Sequence, residues 1–282
     1  MKQRLDLILV QRGLTRSREA AQALVMSGRV EVEGRRVDKP GQRVDTECEL
    51  QVFGRDPYVG RGGVKLAGAL DAFGLQVTGL TALDIGASTG GFTDCLLQRG
   101  AAAVFAVDVG HGQLDWGLRN DSRVRVFEGV NARFLQPETL PGLEDGADMA
   151  VVDVSFISLR LILPRIPALL RATPQGITAG DPRSAAGSIL ALVKPQFEVG
   201  RGQVGRGGIV LDPGLRREAI LKTAGLAAEL SLSVMGLSSS CITGAEGNQE
   251  YFIHLSGRRG GLTPEEISEN AARITTPESR QD

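Results

Sequence analysis

The chain is poor in the residues that build metal centres and secreted scaffolds. It holds 3 cysteines and 2 histidines in 282 residues. Cys48, Cys95 and Cys241 are scattered, odd in number and without C-x-x-C spacing, which argues against a disulfide framework or zinc site and for reduced thiols in a cytoplasmic protein. His111 and His254 are too few to support a metal cluster, so no metal is expected. Long apolar runs are also missing. None approaches the ~20 residues that a membrane helix needs, and Met1-Lys2-Gln3-Arg4-Leu5-Asp6 lacks the apolar core of a signal peptide. The expectation is a soluble, cytoplasmic protein with no membrane partner, and its oligomeric state stays open. A net charge of −1 gives no global attraction to nucleic acid. A hydrophobic content of 42% is nonetheless enough for a sizeable core, and the length allows one large domain beside a small one.

The most informative stretch present is Thr81-Ala-Leu-Asp-Ile-Gly-Ala-Ser-Thr-Gly-Gly-Phe-Thr-Asp94. An apolar strand runs into Asp84, then into a turn with Gly86, Ser88, Gly90 and Gly91, then into a helix beginning near Phe92 and Thr93. At the carboxyl end of a strand, such glycines let backbone approach a ligand where a Cβ would intrude. An ordinary strand–turn–helix is the plainer alternative. The next expected strand, Ala102–Val107, ends in Asp108, at the spacing where βαβ nucleotide sites place the acid that takes two ribose hydroxyls. The turn is not G-x-G-x-x-G, and no G-x-x-x-x-G-K-[ST] occurs, so a pyrophosphate cradle is poorly supported. Asp84 would repel phosphate but accept hydrogen bonds from a cationic amino-acid ligand. S-adenosylmethionine carries a sulfonium, an ammonium and a ribose without phosphate, and the motif favours it over NAD or ATP.

Charge is unevenly spread, with ten Lys/Arg against five Asp/Glu in residues 1–43. There Arg4–Gln11 and Arg18–Ser27 read as short helices, the second capped by Ser17, followed by Val30, Val32 and Val37 around Gly34 and a closing strand Glu49–Phe53. Leu5, Asp6 and Arg16–Ala21 resemble a compact RNA-binding module found in a ribosomal small-subunit protein and in pseudouridine synthases. The resemblance implies RNA contacts from Arg4, Arg12, Arg16, Ser17, Arg18 and Lys39; a merely solvated basic face is the alternative. The spans expected are an RNA-binding domain over 1–53, a glycine- and proline-marked linker over 54–63, a catalytic domain over 64–259 with its first helix at Val64–Phe73, and a C-terminal helix and tail over 260–282.

Strands and helices alternate after the linker: Thr81–Ile85, a helix from Phe92, Ala102–Val107, a helix near Leu114, Arg123–Glu128, Met149–Val152, a helix around Leu159–Leu170, Ile189–Val193, a helix from Gly214, then Ser233–Leu237 and Tyr251–Leu255. That pattern predicts an α/β fold with a doubly wound, mostly parallel sheet and an antiparallel final hairpin. Gly176–Gly187 reads as a surface insertion. Thr263-Pro264-Glu265-Glu266 caps a short terminal helix whose Ile267, Ala271 and Ile274 share a face.

Lys65, Asp153, Lys194 and Glu250 are polar where a sheet protein would place apolar residues or end a strand. Asp153 and Lys194 close adjacent strands and can converge at the ligand edge. Singly, each reads as a solvated strand-end charge. The segments Arg61–Leu66, Asp84–Asp94, Asp108–Leu114, Asp153–Ser158, Leu192–Gly200 and Gly247–Phe252, occurring in order, resemble the TlyA, or hemolysin A-like, ribosomal RNA methyltransferases, whose catalytic domain is related to FtsJ-type ribose 2′-O-methyltransferases. The resemblance implies a Rossmann-like class I methyltransferase with seven strands and a small N-terminal α+β RNA-binding domain. It also implies S-adenosylmethionine as cofactor and ribosomal RNA as partner, with a cytidine ribose in assembled subunits as acceptor. The family's Lys–Asp–Lys–Glu tetrad falls on Lys65, Asp153, Lys194 and Glu250, with cofactor contacts at Asp84–Thr93, Asp108, Val109 and Asn131. The 238–246 loop departs from the family pattern at Thr243 and Ala245.

A ribose hydroxyl is a weak acid, so its attack needs a positioned base or a strong hydrogen-bond partner. Lys194 meets that need if desolvation and a second cation, Lys65, favour its neutral form, while Asp153 and Glu250 hold the ammonium groups and oppose that shift. Three alternatives stand beside this reading. An RNA- or ribosome-binding factor with an inactive methyltransferase domain is separated by a methyl-transfer assay. A membrane-active hemolysin lacks any long amphipathic or spanning segment. A base methyltransferase usually presents Asn/Asp-Pro-Pro-aromatic where this chain has Asp153-Val154-Ser155-Phe156.

Overall fold

The computed structural model describes residues 2–15, 17–54, 57–171, 181, 184–258 and 260–276. The chain divides into two units, Met1–Pro57 and Tyr58–Asp282.

In the first unit, strand β1 (Lys2–Arg4) leads into helices α1 (Leu5–Gln11) and α2 (Arg18–Met26), then strands β2 (Val30–Val32), β3 (Arg35–Arg36), β4 (Arg43–Asp45) and β5 (Leu50–Val52). Ser17 caps α2, its hydroxyl accepting from Ala20 N at 3.2 Å. Glu33 and Gly34, both with positive φ, make the two-residue turn between β2 and β3 that a tight hairpin requires. β2 pairs antiparallel with β3 and with β5, and β1 with β4. Leu5, Ile8, Leu9, Leu24, Val25 and Val30 are buried between helices and sheet.

The second unit begins earlier than the glycines suggested. Helix α3 spans Arg61–Ala72, so Arg61, Gly62 and Gly63 form its first turn and are not linker. These glycines serve packing: a Cβ on Gly63 would collide with the Tyr58 ring, and one on Gly62 would lie 3.2 Å from Phe92. Then follow β6 (Thr81–Ile85), α4 (Gly91–Gln98), β7 (Ala103–Val107), α5 (Trp116–Arg119), β8 (Val124–Phe127), β9 (Met149–Val152), β10 (Ser188–Val193), α6 (Pro195–Glu198), α7 (Pro213–Glu229), β11 (Ser233–Ser239), β12 (Tyr251–Ser256) and α8 (Pro264–Thr275).

The sheet runs β11-β12-β10-β9-β6-β7-β8. β8, β7, β6, β9 and β10 are parallel, and β12 is antiparallel to both β10 and β11. Every residue of β9 and β10 is buried, as expected for parallel strands covered on both faces. The period-2 alternation sorts side chains between two cores. Leu83, Ile85, Phe105, Val107, Val152 and Val193 face one; Ala82, Val104, Ala106, Val151 and Leu192 face the other. The strand order reverses between β6 and β9, which opens the ligand crevice at their carboxyl ends.

Two further expectations need correction. The stretch Leu159–Leu170 is three short 3₁₀ turns (Leu159–Leu161, Leu163–Arg165, Pro167–Leu169) instead of one helix. Leu159, Ile162, Leu163, Ile166 and Leu169 are buried at helical spacing, but Pro164 and Pro167 offer no N–H to continue an α-helix. The expected insertion Gly176–Gly187 lies largely outside the described residues, yet its end is core. Ala185 and Ala186 are buried, Ala185 N donates to Gln76 O, and the Ser184 hydroxyl accepts from Gln76 N at 2.8 Å. The terminal helix forms with a capping box between Thr263 and Glu266, and its Ala271 is buried in the first core.

Candidate active site

Four polar side chains meet at one edge of the sheet because of topology. β9 and β10 are parallel neighbours, so Asp153 and Lys194, each one residue past a strand, leave the same edge. β12 runs antiparallel to β10 with Val193 opposite Tyr251, which brings Glu250, just before β12, level with Lys194. Lys65 comes from α3. The structure joins them as two ion pairs: Lys65 Nζ to Glu250 Oε2 at 2.5 Å and Lys194 Nζ to Asp153 Oδ1 at 2.6 Å. The second contact falls outside hydrogen-bond angles, and Lys194 directs its donor to Ser155 Oγ at 2.8 Å. Lys65, Lys194 and Glu250 are buried. Each ammonium therefore has its own carboxylate, and Ser155, a residue of the Asp153–Ser158 run given no role by the sequence, is the third partner of Lys194.

A cavity of about 460 Å³ opens beside this edge. Gly86, Ser88, Asp108, Val109, Asn131 and Asp153 line it, together with Gln113, Val130, Ala132 and Ile162, none of which sequence reading assigns a role: Val130, Ala132 and Ile162 are apolar residues without a motif, and Gln113 lies unassigned within the Asp108–Leu114 segment. Asp108 is fixed by its own backbone surroundings, accepting from Ser88 N at 2.8 Å and from Gly110 N at 2.7 Å. Ser88 has a left-handed φ of 49° and its hydroxyl lies 3.3 Å from Gln113 Oε1. Asn131 Oδ1 accepts from Arg133 N at 3.0 Å, which turns the chain after β8.

Of the other turn residues, Asp84, Gly90, Gly91, Phe92 and Thr93 do not line the cavity. Gly86 has φ 88°, and a Cβ there would collide with the Asp153 carbonyl. One on Gly90 would collide with Leu118, and one on Gly91 would lie 2.8 Å from Gly63 N. These missing Cβ atoms allow close protein packing around the turn, and Gly86 also lines the cavity. Phe92 is buried and stacks on Phe252. Thr93 Oγ1 donates to Asp84 Oδ2 at 2.6 Å, while Asp84 Oδ1 is buried without a partner. Burial pushes the Asp84 carboxyl up to about 7, with the Thr93 bond opposing and nearby Asp153 adding to the rise.

The turn after Asp153 is laced to the turn after Lys194. Glu198 accepts from Ser158 Oγ at 2.6 Å and from Leu159 N at 2.8 Å, and burial raises its pKa. Phe156, at the tip, has φ 64° and is 89% exposed, its ring 5.2 Å from that of Phe197. A left-handed aromatic costs on the order of 1 kcal/mol and persists only where the surroundings impose it.

In the N-terminal unit, Arg4 and Arg18 converge on Asp6, at 2.8 and 3.0 Å. Lys39 belongs to the turn whose Pro40 and Gln42 carbonyls accept from Asp6 N and Leu5 N. Arg12 is set apart: its guanidinium donates to the carbonyls of Thr46 and Cys48 and braces the connection between β4 and β5. Ser17 acts as the α2 cap, and Arg16 lies outside the described residues.

Among the described residues, no group of three or more His, Cys, Asp or Glu could hold a metal ion, and no helix is long and apolar enough to cross a membrane.

Comparison with known proteins identifies the family. Residues 58–257 match the FtsJ-like methyltransferase family and residues 3–49 the S4 domain. The chain is 47% identical over 254 residues to the 16S/23S rRNA (cytidine-2′-O)-methyltransferase TlyA of Mycobacterium tuberculosis, 89% of each chain being covered. It is 38% identical over 252 residues to Hemolysin A of Brachyspira hyodysenteriae, covering 89% of this chain and 99% of that one. A solved structure from Streptococcus thermophilus with a provisional hemolysin label superposes with a TM-score of 0.69 at 41% identity, covering 97% of this chain and 95% of that one. The chain belongs to the TlyA family of FtsJ-like rRNA methyltransferases, its methyltransferase domain preceded by an S4 domain.

Proposed function

We propose that the chain moves the methyl group of S-adenosylmethionine to the 2′-hydroxyl of a cytidine in ribosomal RNA within ribosomal subunits, engaging the RNA through its N-terminal unit. The observation that carries the reading is the pair of buried Lys–carboxylate contacts at the strand edge beside a cofactor-sized cavity. The residues present suit this cofactor. Asp84 Oδ1 is a buried acceptor without a partner, as a cationic amino-acid end requires. Asp108 is a fixed carboxylate on the cavity wall for ribose hydroxyls, and Val130, Ala132 and Ile162 offer an apolar wall for adenine. When bound, S-adenosylmethionine supplies a methyl group on a positively charged sulfur.

The protein's contribution is position and proton handling. Asp153 and Ser155 hold Lys194 Nζ in place as the general base that takes the proton lost by the 2′-hydroxyl when its oxygen bonds the methyl carbon. Glu250 fixes Lys65, whose charge stabilises the developing alkoxide. Exposed Phe156 presents an aromatic face beside the cavity on which a base can stack. Labelled methyl transfer to isolated subunits and to naked rRNA, followed by mapping of the modified nucleotide, tests the reading. Label on a cytidine 2′-oxygen in subunits is expected. Label on a base, or none on either substrate, would overturn it.

A further inference from the structure

The N-terminal unit contains a buried carboxylate that the catalytic reading leaves without a task. Asp6, in the first turn of α1, has no solvent exposure. Arg4 donates to it through Nε at 3.0 Å and Nη2 at 2.8 Å, Arg18 through Nε at 3.0 Å, and Gln22 through Nε2 at 3.0 Å. The Arg4 bonds, with help from Gln22 and Arg18, hold the Asp6 carboxyl well below the usual carboxylate range despite its burial. Both arginine side chains stay about half open, at 42% and 49% exposure. Of five donors each, Arg4 commits two and Arg18 one to the carboxylate. The cluster thus keeps a net positive charge and most of its forks uncommitted. Gly41 helps to place it: a Cβ there would lie 3.1 Å from Arg4 Nη1.

We propose that Asp6 is a positioning residue for RNA binding, presetting the guanidinium groups of Arg4 and Arg18 as a pair that receives backbone phosphate. The inference rests on the rRNA reading above. An unrestrained arginine surrenders rotamer freedom when it binds, whereas one already held in a fork has lost it beforehand. The alternative, a basic face with an incidental acid in it, makes the opposite prediction. Removing one negative charge from a phosphate-binding surface should by itself tighten RNA binding.

The full-length protein is titrated with an rRNA fragment at several salt concentrations, with thermal unfolding followed in parallel. Asp6→Asn, which adds one unit of positive charge, is expected to bind roughly tenfold more weakly at fixed salt. Binding that is unchanged or tighter would overturn the proposal. Should Asp6→Asn fail to fold, Arg18→Lys decides, because it keeps the charge at a half-exposed site and removes only the fork. Several-fold weaker RNA binding is expected of it, and wild-type affinity with an unaltered salt slope would overturn the proposal. Absence of RNA binding by the wild-type protein would overturn the rRNA reading itself and this inference with it.

Discussion

The two units use the same ingredients, carboxylates against Lys and Arg, in different proportions. In the N-terminal unit one buried carboxylate, Asp6, holds two half-exposed arginines, so positive charge is left over at the surface. At the sheet edge two carboxylates hold two buried lysines, one to one, and no charge is left over. The first arrangement suits long-range attraction of a polyanion, which needs excess charge in contact with solvent. The second suits chemistry, where a charge must stand in one place relative to the reacting atoms. Burial separates the roles, because desolvation makes a pair's geometry matter more than its net charge.

The largest effect should come from breaking the matched pair at its lysine. Lys194→Ala is expected to lose about 10²–10⁴-fold in single-turnover methyl transfer while keeping RNA affinity, and Lys194→Arg should do little better because guanidinium does not release its proton. An arginine variant with near wild-type turnover would show that only fixed charge is needed there.

Asp6 and Asp84, one in each unit, should also respond oppositely to acid. Asp6 is lowered, so its stabilisation is present above the ordinary carboxylate range and is lost as pH falls through it. Asp84 is raised to about 7, so the native state holds its extra proton between about 4 and 7 and stability falls as pH rises across that window. The Asp84 contribution is a few kcal/mol at most. His254, pushed down to about 4 by burial, opposes it in the same unit, losing stability as pH falls from 6.5 toward 4. The comparison that isolates Asp84 is therefore wild type against Asp84→Asn, followed by hydrogen exchange in the methyltransferase unit. Identical pH profiles would remove Asp84 as the cause.

Asp108→Ala is expected to weaken S-adenosylmethionine binding by about tenfold with little change in turnover at saturation, because the ribose contact is the same before and during transfer. Calorimetry showing unchanged affinity would take Asp108 out of the site. The pair Arg4→Ala and Arg18→Ala is read as a slope and not as a fold-change: the salt slope of RNA binding should decrease by about 2. A full slope in that double variant would erase the distinction between the two units.

Much of the site was legible because strand ends declare themselves. Thr81–Ile85 and Met149–Val152 stand where their apolar runs placed them, and Asp153 and Lys194 follow such runs. Lys65 and Glu250 stood out as polar residues at apolar or strand-end places, and the family resemblance grouped them with Asp153 and Lys194 although they lie 185 residues apart. Glycine was the misleading signal. Gly62 and Gly63 read as linker, but they belong to the first turn of α3, where their missing Cβ atoms make room for Phe92 and Tyr58. Leu159–Leu169 misled in the other direction, its helical burial pattern surviving in a backbone that two prolines keep in separate turns.

The sequence by itself determined the alternation of apolar runs, and with it the doubly wound sheet, because strands covered on both faces must be apolar throughout while helices keep one polar face. It also determined the surplus of basic residues before position 44, a matter of counting. Which charge meets which was decided only by tertiary structure. The pairing of Lys65 with Glu250, of Lys194 with Asp153 and Ser155, and of Arg4 and Arg18 with Asp6 depends on strand order, strand direction and helix placement. An ion pair is a contact over a few ångströms, and residues far apart in the chain acquire such distances only when the fold brings them together.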